Sequence, residues 1–424
     1  MESFSFIHTG DLHLDSPFKG VSQINEEIGR ELSEATFTTF QRIIDLCLKK
    51  RVDFLLITGD IYNASDRSLH AQLRFRDGLR RLSEAGINTY IVHGNHDPLD
   101  GWSANLNWPE EVHIFKGDSV QKVVAKKEGI EIAQIYGISF PKQKITENLT
   151  CKFPKIPKAT KELFTIGMLH CNLGTDTGHE PYAPCTLQDL ASRNFDYWAL
   201  GHIHNKVIIS DTPLIVYPGN PQGLHPKEIG PKGCFLIKVD EDKKTTAEFV
   251  EIDSIRWSLK EIPIDPLSTE EDLLKSIENC IDGIRKDAQG RGSISRIILC
   301  GRSELHPIIR RKGVLEDILQ RLRETEEGRK DFVWTESLVD NTDPAIEREL
   351  LLKQKDFVGD LVRFFEELYQ DEERRGQAKE YLDPLFTSTF GRRFLESMND
   401  TEFLDLLKKT ETLCLDRLIE GSSV

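Results

Sequence analysis

The stretch FSFIHTGDLHLDSPF, residues 4–18, joins a short apolar run to a glycine and then to two metal-ligand types, Asp11 and His13. A chain that needed only a turn would have no use for a carboxylate and an imidazole two residues apart. The pattern recurs in VDFLLITGD (52–60) and NTYIVHGNHD (88–97). Each is a strand-like apolar run that stops beside a glycine and then presents polar side chains. The recurrence predicts a site built at strand ends.

Helix-like segments separate these runs. Residues 34–50 carry apolar side chains at helical spacing, and residues 69–86 form a second predicted helix closed by Gly86. Alternating strands and helices within about one hundred residues predict an α/β fold with a parallel or mixed sheet. In such sheets, ligands bind beyond the carboxyl ends of the strands. We therefore expect the polar residues that follow the runs to converge.

Two later strand-like runs end in the same way, LFTIGMLHC (163–171) and FDYWALGHIH (195–204). Carboxylate oxygen and imidazole nitrogen, without thiolate, suit Mn, Fe or Zn. Two ions about 3.5–4 Å apart need a bridging carboxylate, for which Asp60 is the natural candidate. We interpret the other histidines, among them His93 and His225 near these motifs, as surface or core residues. The residues predicted to lie at or beside the two-metal centre are Asp11, His13, Asp60, Asn95, His96, Asp97, His170, His202 and His204.

The composition is that of a globular protein, with 38% hydrophobic and 29% charged residues in 424 and a net charge of -15. No apolar run reaches the roughly 18 residues that span a bilayer. The eight cysteines are scattered without a CxxC pair, as expected for reduced thiols. The excess of acidic residues argues weakly against non-specific nucleic-acid binding. Bound cations and local basic patches would still attract a phosphate backbone. We expect a cytoplasmic protein with no membrane partner.

Three regions are predicted along the chain. Residues 1–250 hold the strand-end motifs and include a polar, Pro- and Lys-rich surface loop at 142–160. Residues 251–340 alternate strand, helix, strand, helix and strand as a small α/β unit. Residues 341–424 are charged and helical. The segment DLVRFFEELY has one apolar helical face, formed by Leu361, Phe364, Phe365 and Leu368.

The order of motifs, Asp-x-His, Gly-Asp, Gly-Asn-His-Asp, His and Gly-His-x-His, resembles that of the calcineurin-like metallophosphoesterases over roughly residues 1–240. The segments HTGDLHLDSPF, GDIYNASDRS, ALGHIHNK and VYPGNPQGLHPKEIGPKGCFLIKVD resemble the SbcD-type DNA repair exonuclease branch, and within it the YhaO-like bacterial proteins. Asn220 stands where that branch usually has serine. The resemblance implies a metallophosphoesterase sandwich of mixed sheets flanked by helices, with a small α/β cap and a helical C-terminal region.

The resemblance also implies roles for the candidate residues. One ion would be held by Asp11, His13, Asp60 and His204, and the other by Asp60, Asn95, His170 and His202. His96 would be the catalytic residue, facing the scissile phosphate without binding metal. Asp97 is hypothesised to orient the His96 imidazole by hydrogen bonding. The usual metal of this branch is Mn²⁺.

The implied activity is phosphodiester hydrolysis by a DNA exonuclease or endonuclease in DNA repair. GDIYNASDR lacks the Arg-Gly that phosphoprotein phosphatases of this superfamily carry, which favours a diester. The arginines of segment 67–81 fit either DNA contacts or a solvated helix face. Two alternatives remain: a phosphoesterase acting on nucleotides or other small phosphodiesters, and a scaffold recruiting a coiled-coil ATPase.

Family resemblance also bears on partners. Related nucleases often dimerise through helices beside the Gly-Asp and Gly-Asn-His-Asp motifs. They also bind a coiled-coil ABC-type ATPase through a helical segment after the cap. The resemblance therefore implies DNA, a homodimer and such an ATPase as partners, with residues 341–424 as the docking segment. Burial of the same apolar faces within this chain is the competing interpretation.

Overall fold

The computed structural model describes residues 1–18, 26–63, 67–157, 162–174, 182–345, 348–387 and 398–420. The last residues of the predicted loop at 142–160 and parts of the predicted helical region 341–424 lie outside these ranges. The strands are β1 Phe4–Thr9, β2 Phe54–Thr58, β3 Asn88–Val92, β4 Val112–Ile114, β5 Gln121–Lys127, β6 Ile130–Gly137, β7 Phe164–His170, β8 Tyr197–Gly201, β9 Val207–Asp211, β10 Leu214–Tyr217, β11 Gly233–Val239, β12 Thr245–Glu251, β13 Ile255–Pro263, β14 Gly292–Ser303 and β15 Val333–Pro344.

The helices are α1 Glu26–Lys50, α2 Leu69–Glu84, α3 Leu187–Ala191, α4 Glu270–Ala288, α5 His306–Ile309, α6 Val314–Thr325, α7 Arg348–Lys353, α8 Phe357–Gln370, α9 Glu372–Glu380, α10 Asp383–Thr387 and α11 Asp400–Glu420, with a short 3₁₀ helix at Leu149–Lys152. None of the helices in the described ranges is both long and apolar enough to cross a bilayer. Ser68 begins α2, because its side chain accepts a hydrogen bond from Ala71 N.

The first sheet has the strand order β12-β11-β1-β2-β3-β4. Strands β1 to β4 are parallel, whereas β11 and β12 pair antiparallel. Helices α1 and α2 cover one face, where Phe37, Phe40 and Phe75 pack in a buried cluster with β1 and β2. The predicted strands and helices of the first hundred residues are therefore confirmed.

The second sheet has the order β5-β6-β7-β8-β10-β9, with β6, β7, β8 and β10 parallel. Its inner face packs against the first sheet through a buried cluster of aliphatic and aromatic residues. Phe6 stacks on Phe54 with ring centroids 4.9 Å apart and meets Tyr197 edge-on at 5.2 Å. This arrangement confirms the predicted sandwich of mixed sheets flanked by helices.

The segment 142–157 departs from the surface loop that its polar composition predicts. Ile145, Leu149 and Phe153 are buried in the cluster that covers the outer face of the second sheet. Asn148 begins the 3₁₀ helix by accepting a hydrogen bond from Thr150 N. Widely spaced apolar residues among lysines therefore anchor this segment to the sheet.

A third sheet has the order β13-β14-β15, and α4, α5 and α6 lie between its strands in the chain. The chain divides into two compact units, the first made of Met1–Glu261, Ser276–Ile298 and Glu316–Val339, and the second of Ile262–Lys275, Leu299–Leu315 and Asp340–Val424. The predicted boundaries near 250 and 340 remain predictions. In the second unit, Phe365 and Leu368 pack with α11, whereas Phe364 is exposed and is not part of the predicted apolar face.

Candidate metal centre

Three strand ends of the first sheet and two of the second meet at one edge of the sandwich. The turn after β1 is hydrogen-bonded to the turn after β2. Asp11 N donates to Gly59 O (2.9 Å), and His13 N donates to Asp60 O (3.0 Å). Gly94 and Gly201 allow their turns to lie close to the end of β2, because neither residue has a Cβ. A Cβ at Gly94 would lie 2.3 Å from Asp60 Oδ1, and one at Gly201 would lie 1.9 Å from Thr58 O.

The first cluster of ligand-type atoms consists of Asp11, His13 and His204, whose ligand atoms lie within 4.8 Å of one another. His13 Nδ1–H donates to Asn63 Oδ1 (2.9 Å), and His204 Nδ1–H donates to Glu228 Oε1 (2.5 Å). Both Nε2 atoms therefore face inward, 3.2 Å apart. Two nitrogens that bind one ion at about 2.1 Å each are roughly 3.0–3.4 Å apart at ordinary angles.

The second cluster consists of Asp60, His170 and His202, all buried and also within 4.8 Å of one another. His170 Nδ1–H donates to the carbonyl of Thr58 (2.9 Å). Its Nε2 consequently lies beside Asn95 Oδ1 (2.9 Å) and Asp60 Oδ2 (3.4 Å). A histidine ligand held in one tautomer by an acceptor on its other nitrogen is characteristic of metal sites.

The two clusters form one site. His202 N donates to both oxygens of Asp11 (3.1 Å each), so a residue of the second cluster holds a carboxylate of the first. His96 N donates to Asp60 Oδ1 (2.8 Å), and the His96 ring lies 5.2 Å from the His13 ring. All the predicted residues except Asp97 thus lie around one centre. The first cluster contains three of the four residues of one predicted ligand set, without Asp60, and the second contains three of the four residues of the other, without Asn95.

The electrostatics of the site favour bound positive charge. Burial raises the pKa of Asp11 to about 6, and the nearby Asp60 carboxylate acts in the same direction. Burial alone would lower the pKa of His170, but contacts with Asp60 and Asp11 raise it to about 10. Burial would likewise raise the pKa of Asp60, yet His170 holds it below its usual range. The buried carboxylates of Asp11 and Asp60 thus favour a positive charge beside them, which a bound cation would supply.

The two facing imidazoles of the first cluster, those of His13 and His204, also have shifted pKa values. Burial, followed by the charge of His204, lowers the pKa of His13 to about 4. Burial opposes protonation of His204, but the hydrogen bond to Glu228 raises its pKa overall. Two inward nitrogen lone pairs at 3.2 Å need a proton or a cation between them. The donor set of carboxylates, imidazoles and one amide therefore fits a pair of divalent ions of the Mn, Fe or Zn type.

Four residues of the site have a strained backbone conformation. Asp11, His13, Asp60 and His202 all have positive φ, at 51°, 43°, 51° and 103°. Non-glycine residues adopt this region at a cost of order 1–3 kcal/mol each, and such residues cluster at functional sites. The hydrogen bonds between the turns hold these conformations.

Asp97 differs from its hypothesised role. Its Oδ1 accepts from Asp60 N (3.1 Å) and Gly94 N (2.7 Å), and its Oδ2 accepts from Ile61 N (2.9 Å). The imidazole beside it is that of His93 (3.0 Å), rather than His96. Asp97 therefore clamps the turn after β2 to the turn after β3, and His93 is part of that clamp instead of a default core residue.

A cavity of about 430 Å³ lies over the first cluster, with His13, His96 and His204 in its wall. Asn63, Glu228, Asn220 and His225 also line it, and sequence reasoning assigned none of these four to the site. A signal for Glu228 and His225 existed, since both lie in the segment that follows the last strand-end motif. The arginines of α2, in contrast, pair with carboxylates, Arg74 with Glu34 and Arg81 with Asp45, which favours the solvated-face interpretation.

The fold, the two ligand clusters at the strand ends and the facing histidines together define a calcineurin-like metallophosphoesterase. The chain belongs to this family. The family model described as "Calcineurin-like phosphoesterase" matches residues 4–206, and that described as "Metallophosphoesterase YhaO, middle domain" matches residues 257–343. A Bacillus subtilis protein named uncharacterized metallophosphoesterase YhaO is 34% identical over 97% of this chain and 97% of that protein.

More distant similarity extends to archaeal repair proteins. The DNA double-strand break repair protein Mre11 of Sulfurisphaera tokodaii is 27% identical over 58% of this chain and 62% of its own length. Among solved structures, a dimetal phosphatase from Danio rerio covers 59% of this chain and 98% of its own, at 12% identity and a TM-score of 0.36.

Proposed function

We propose that this chain is a two-metal phosphodiesterase that cleaves DNA, with Mn²⁺ as its metal. The observation that carries the proposal is the convergence of both ligand clusters on one centre beside His96, beneath a cavity of about 430 Å³. A phosphodiester resists attack because its charge repels nucleophiles and its leaving alkoxide is poor. Metallophosphoesterase chemistry addresses both obstacles.

Some residues of the site would bind the ions, and others hold the imidazole ligands in position. Asp11, His13 and His204 would hold one ion, and Asp60, Asn95, His170 and His202 the other, with Asp60 bridging. Bound divalent ions would neutralise phosphate oxygens and lower the pKa of water toward about 7. Thr58 O, Asn63 and Glu228 keep the imidazoles in the tautomer that presents Nε2.

His96 would act on the substrate itself. Its backbone N–H is held by Asp60 Oδ1, and its side chain lines the cavity next to His13. From there, a protonated imidazole would stabilise charge on the phosphate or give a proton to the leaving oxygen. General acid catalysis of this kind contributes typically about 10²–10⁴ in rate.

DNA is the substrate that similarity favours, because the relatives include several proteins named for DNA double-strand break repair. The cavity itself also suits a second candidate, a nucleotide or another small phosphodiester. Its volume of about 430 Å³ lies within the range of small-ligand pockets. A substrate panel separates the two, since both would use the same ligands.

The test is digestion of end-labelled duplex DNA, single strands and a chromogenic phosphodiester with added Mn²⁺, with Asp60→Ala in parallel. We expect the parent chain to cleave DNA, more weakly at higher salt because phosphate contacts release counterions, and the variant to be inactive. Cleavage of the small diester alone would support the second candidate. Failure on every diester, or equal activity of Asp60→Ala, would contradict the proposal.

We propose further that an ABC-type coiled-coil ATPase binds the helices after residue 340, as family resemblance implies. In support, Phe357 and Phe364 on α8 are 69% and 53% exposed, although the other apolar face of this helix is packed. Co-purification of such an ATPase with the full chain, but not with Phe357→Glu, is the expected result. Equal recovery with both chains, or with neither, would contradict it.

The proposed homodimer is tested by the mass of the purified chain in solution.

A further inference from the structure

A second cavity lies beside the Asp97 clamp, with Ile61 and His93 in its wall. We call it the Tyr62 cavity, after the residue that follows the Asp60 turn. Its volume is about 140 Å³, and its apolar wall includes Phe75, Ile91, Trp108 and Ile114. Cavities of about 150 Å³ with apolar walls accommodate a benzene ring. The Tyr62 cavity therefore has room for one six-membered ring.

Three buried polar atoms in the wall of this cavity have no hydrogen-bond partner among the described residues. They are Tyr62 Oη, Arg67 Nε and Gln72 Nε2. Tyr62 and Gln72 are only 4% and 3% exposed, so bulk water does not serve them. Gln72 has already committed its Oε1 to Ala104 N (2.8 Å), which leaves its amide N–H groups to donate. A buried donor without an acceptor costs about 1–3 kcal/mol.

The charge of the cavity wall is positive. Arg67 lies over the Tyr62 ring, 5.5 Å from its centroid, and its Nη1 donates to Trp102 O (2.7 Å). Among the described residues, no carboxylate pairs with this guanidinium. The nearby Asp97 carboxylate is already satisfied by three backbone N–H groups and His93. An incoming anion would therefore meet these donors and the Arg67 guanidinium, with which no described carboxylate pairs.

We propose that the Tyr62 cavity is a binding site for a small carboxylate with a flat apolar body. The ring would lie against Phe75 and Trp108, and the carboxylate would accept hydrogen bonds from Arg67 Nε, Gln72 Nε2 and Tyr62 Oη. One functional group would then accept from all three donors and lie beside the positive charge of Arg67. The site is separate from the metal centre, and it does not depend on the proposed activity.

The test uses benzoate as the probe, titrated calorimetrically into the full chain after removal of metal with EDTA, so that no carboxylate binds through a metal. Benzamide, which has the same shape and no charge, is the matched ligand. We expect benzoate to bind with a Kd of about 1 mM or tighter, as suits a ligand of this size, and benzamide to bind at least about tenfold more weakly.

Variants locate the ligand. Arg67→Met and Tyr62→Phe should each weaken benzoate binding, Arg67→Met by at least about tenfold. Arg80→Met, which removes an exposed arginine of α2 outside the cavity wall, should leave it unchanged. Tyr62→Phe keeps the ring and removes one oxygen, so we expect it to fold. It therefore tests the site even where Arg67→Met fails to fold. Absence of saturable benzoate binding, or equal affinity in Tyr62→Phe and the parent chain, would overturn the proposal.

Discussion

Glu228 holds His204 in place, with His204 Nδ1–H donating to Glu228 Oε1 across 2.5 Å. The other oxygen of Glu228 accepts from Leu224 N (2.7 Å), so the carboxylate is fixed at both ends. Burial alone would raise the pKa of Glu228, but His204 lowers it to about 2. The ring of His204 is thereby turned so that Nε2 faces His13. Carboxylate–histidine pairs of this kind orient ligands and raise their basicity.

Glu228→Gln should weaken Mn²⁺ binding by about 10–100-fold, because loss of such a supporting carboxylate has that effect on metal affinity. The measurement is Mn²⁺ titration of the metal-free chain. Glu248→Gln is the matched control, since Glu248 is an exposed carboxylate that contacts Lys238 on the surface. Equal Mn²⁺ affinity in Glu228→Gln and the control would show that the His204–Glu228 contact has no part in metal binding.

His96→Ala should keep its metal and lose turnover by about 10²–10⁴-fold, since general acid catalysis contributes that much. The expectation follows from the position of His96 in the cavity wall, outside both ligand clusters. Metal content and the rate on a chromogenic phosphodiester are measured on the same preparation. A variant that hydrolyses the diester at the parent rate, or that loses its metal, would remove His96 from the proposed role.

Gly201→Ala should destabilise the chain by about 1–3 kcal/mol, the usual cost of overpacking. The added Cβ would lie 1.9 Å from Thr58 O, whose carbonyl also fixes His170. Gly283→Ala is the control, because a Cβ at this exposed position of α4 meets nothing within 4 Å; it should stabilise by up to about 1 kcal/mol. Urea denaturation measures both. Equal stability of the two variants would contradict the close packing at the strand ends.

His8 should make the fold acid-sensitive. Burial lowers its pKa to about 3, while the unfolded chain has the ordinary value near 6.5. The unfolded state therefore binds the extra proton first, so stability is complete above about pH 6.5 and falls as the pH drops toward 3. Between pH 7 and pH 5 the loss from this one group is about 2 kcal/mol.

The measurement is urea denaturation of the metal-free chain at pH 7 and pH 5, with His8→Gln for comparison. Glutamine does not titrate and can still hydrogen-bond to Tyr197 or Thr58, which contact the two nitrogens of His8. The variant should lose about 2 kcal/mol less than the parent between the two pH values. An identical loss in both chains would show that His8 does not titrate on unfolding.

The sequence predicted the strand ends well, because their chemistry is local. Each ligand-type residue directly follows an apolar run, and parallel strands carry those ends to one edge. Asp11, Asp60 and Asn95 could be found in this way without any knowledge of distant contacts. Their grouping with His170 and His204 follows from the sandwich, which the same alternation predicts.

The supporting residues were harder to predict, because their partners are distant in the chain. Asp97 accepts hydrogen bonds from the β2 turn, 36 and 37 residues away, and nothing in GNHD distinguishes that role from orienting His96. Glu228 lies 24 residues beyond His204. Likewise, the burial of Leu149 and Phe153 depends on the outer face of the second sheet rather than on their polar neighbours.

The most direct test of the account is to count and characterise the ions that the chain binds. Metal analysis and electron paramagnetic resonance of the Mn²⁺-loaded chain should show two ions per chain, exchange-coupled because the Asp60 carboxylate would be shared between them. Asp60→Asn should abolish the coupling. A parent chain that binds a single ion, or two ions without coupling, would contradict the two-metal centre.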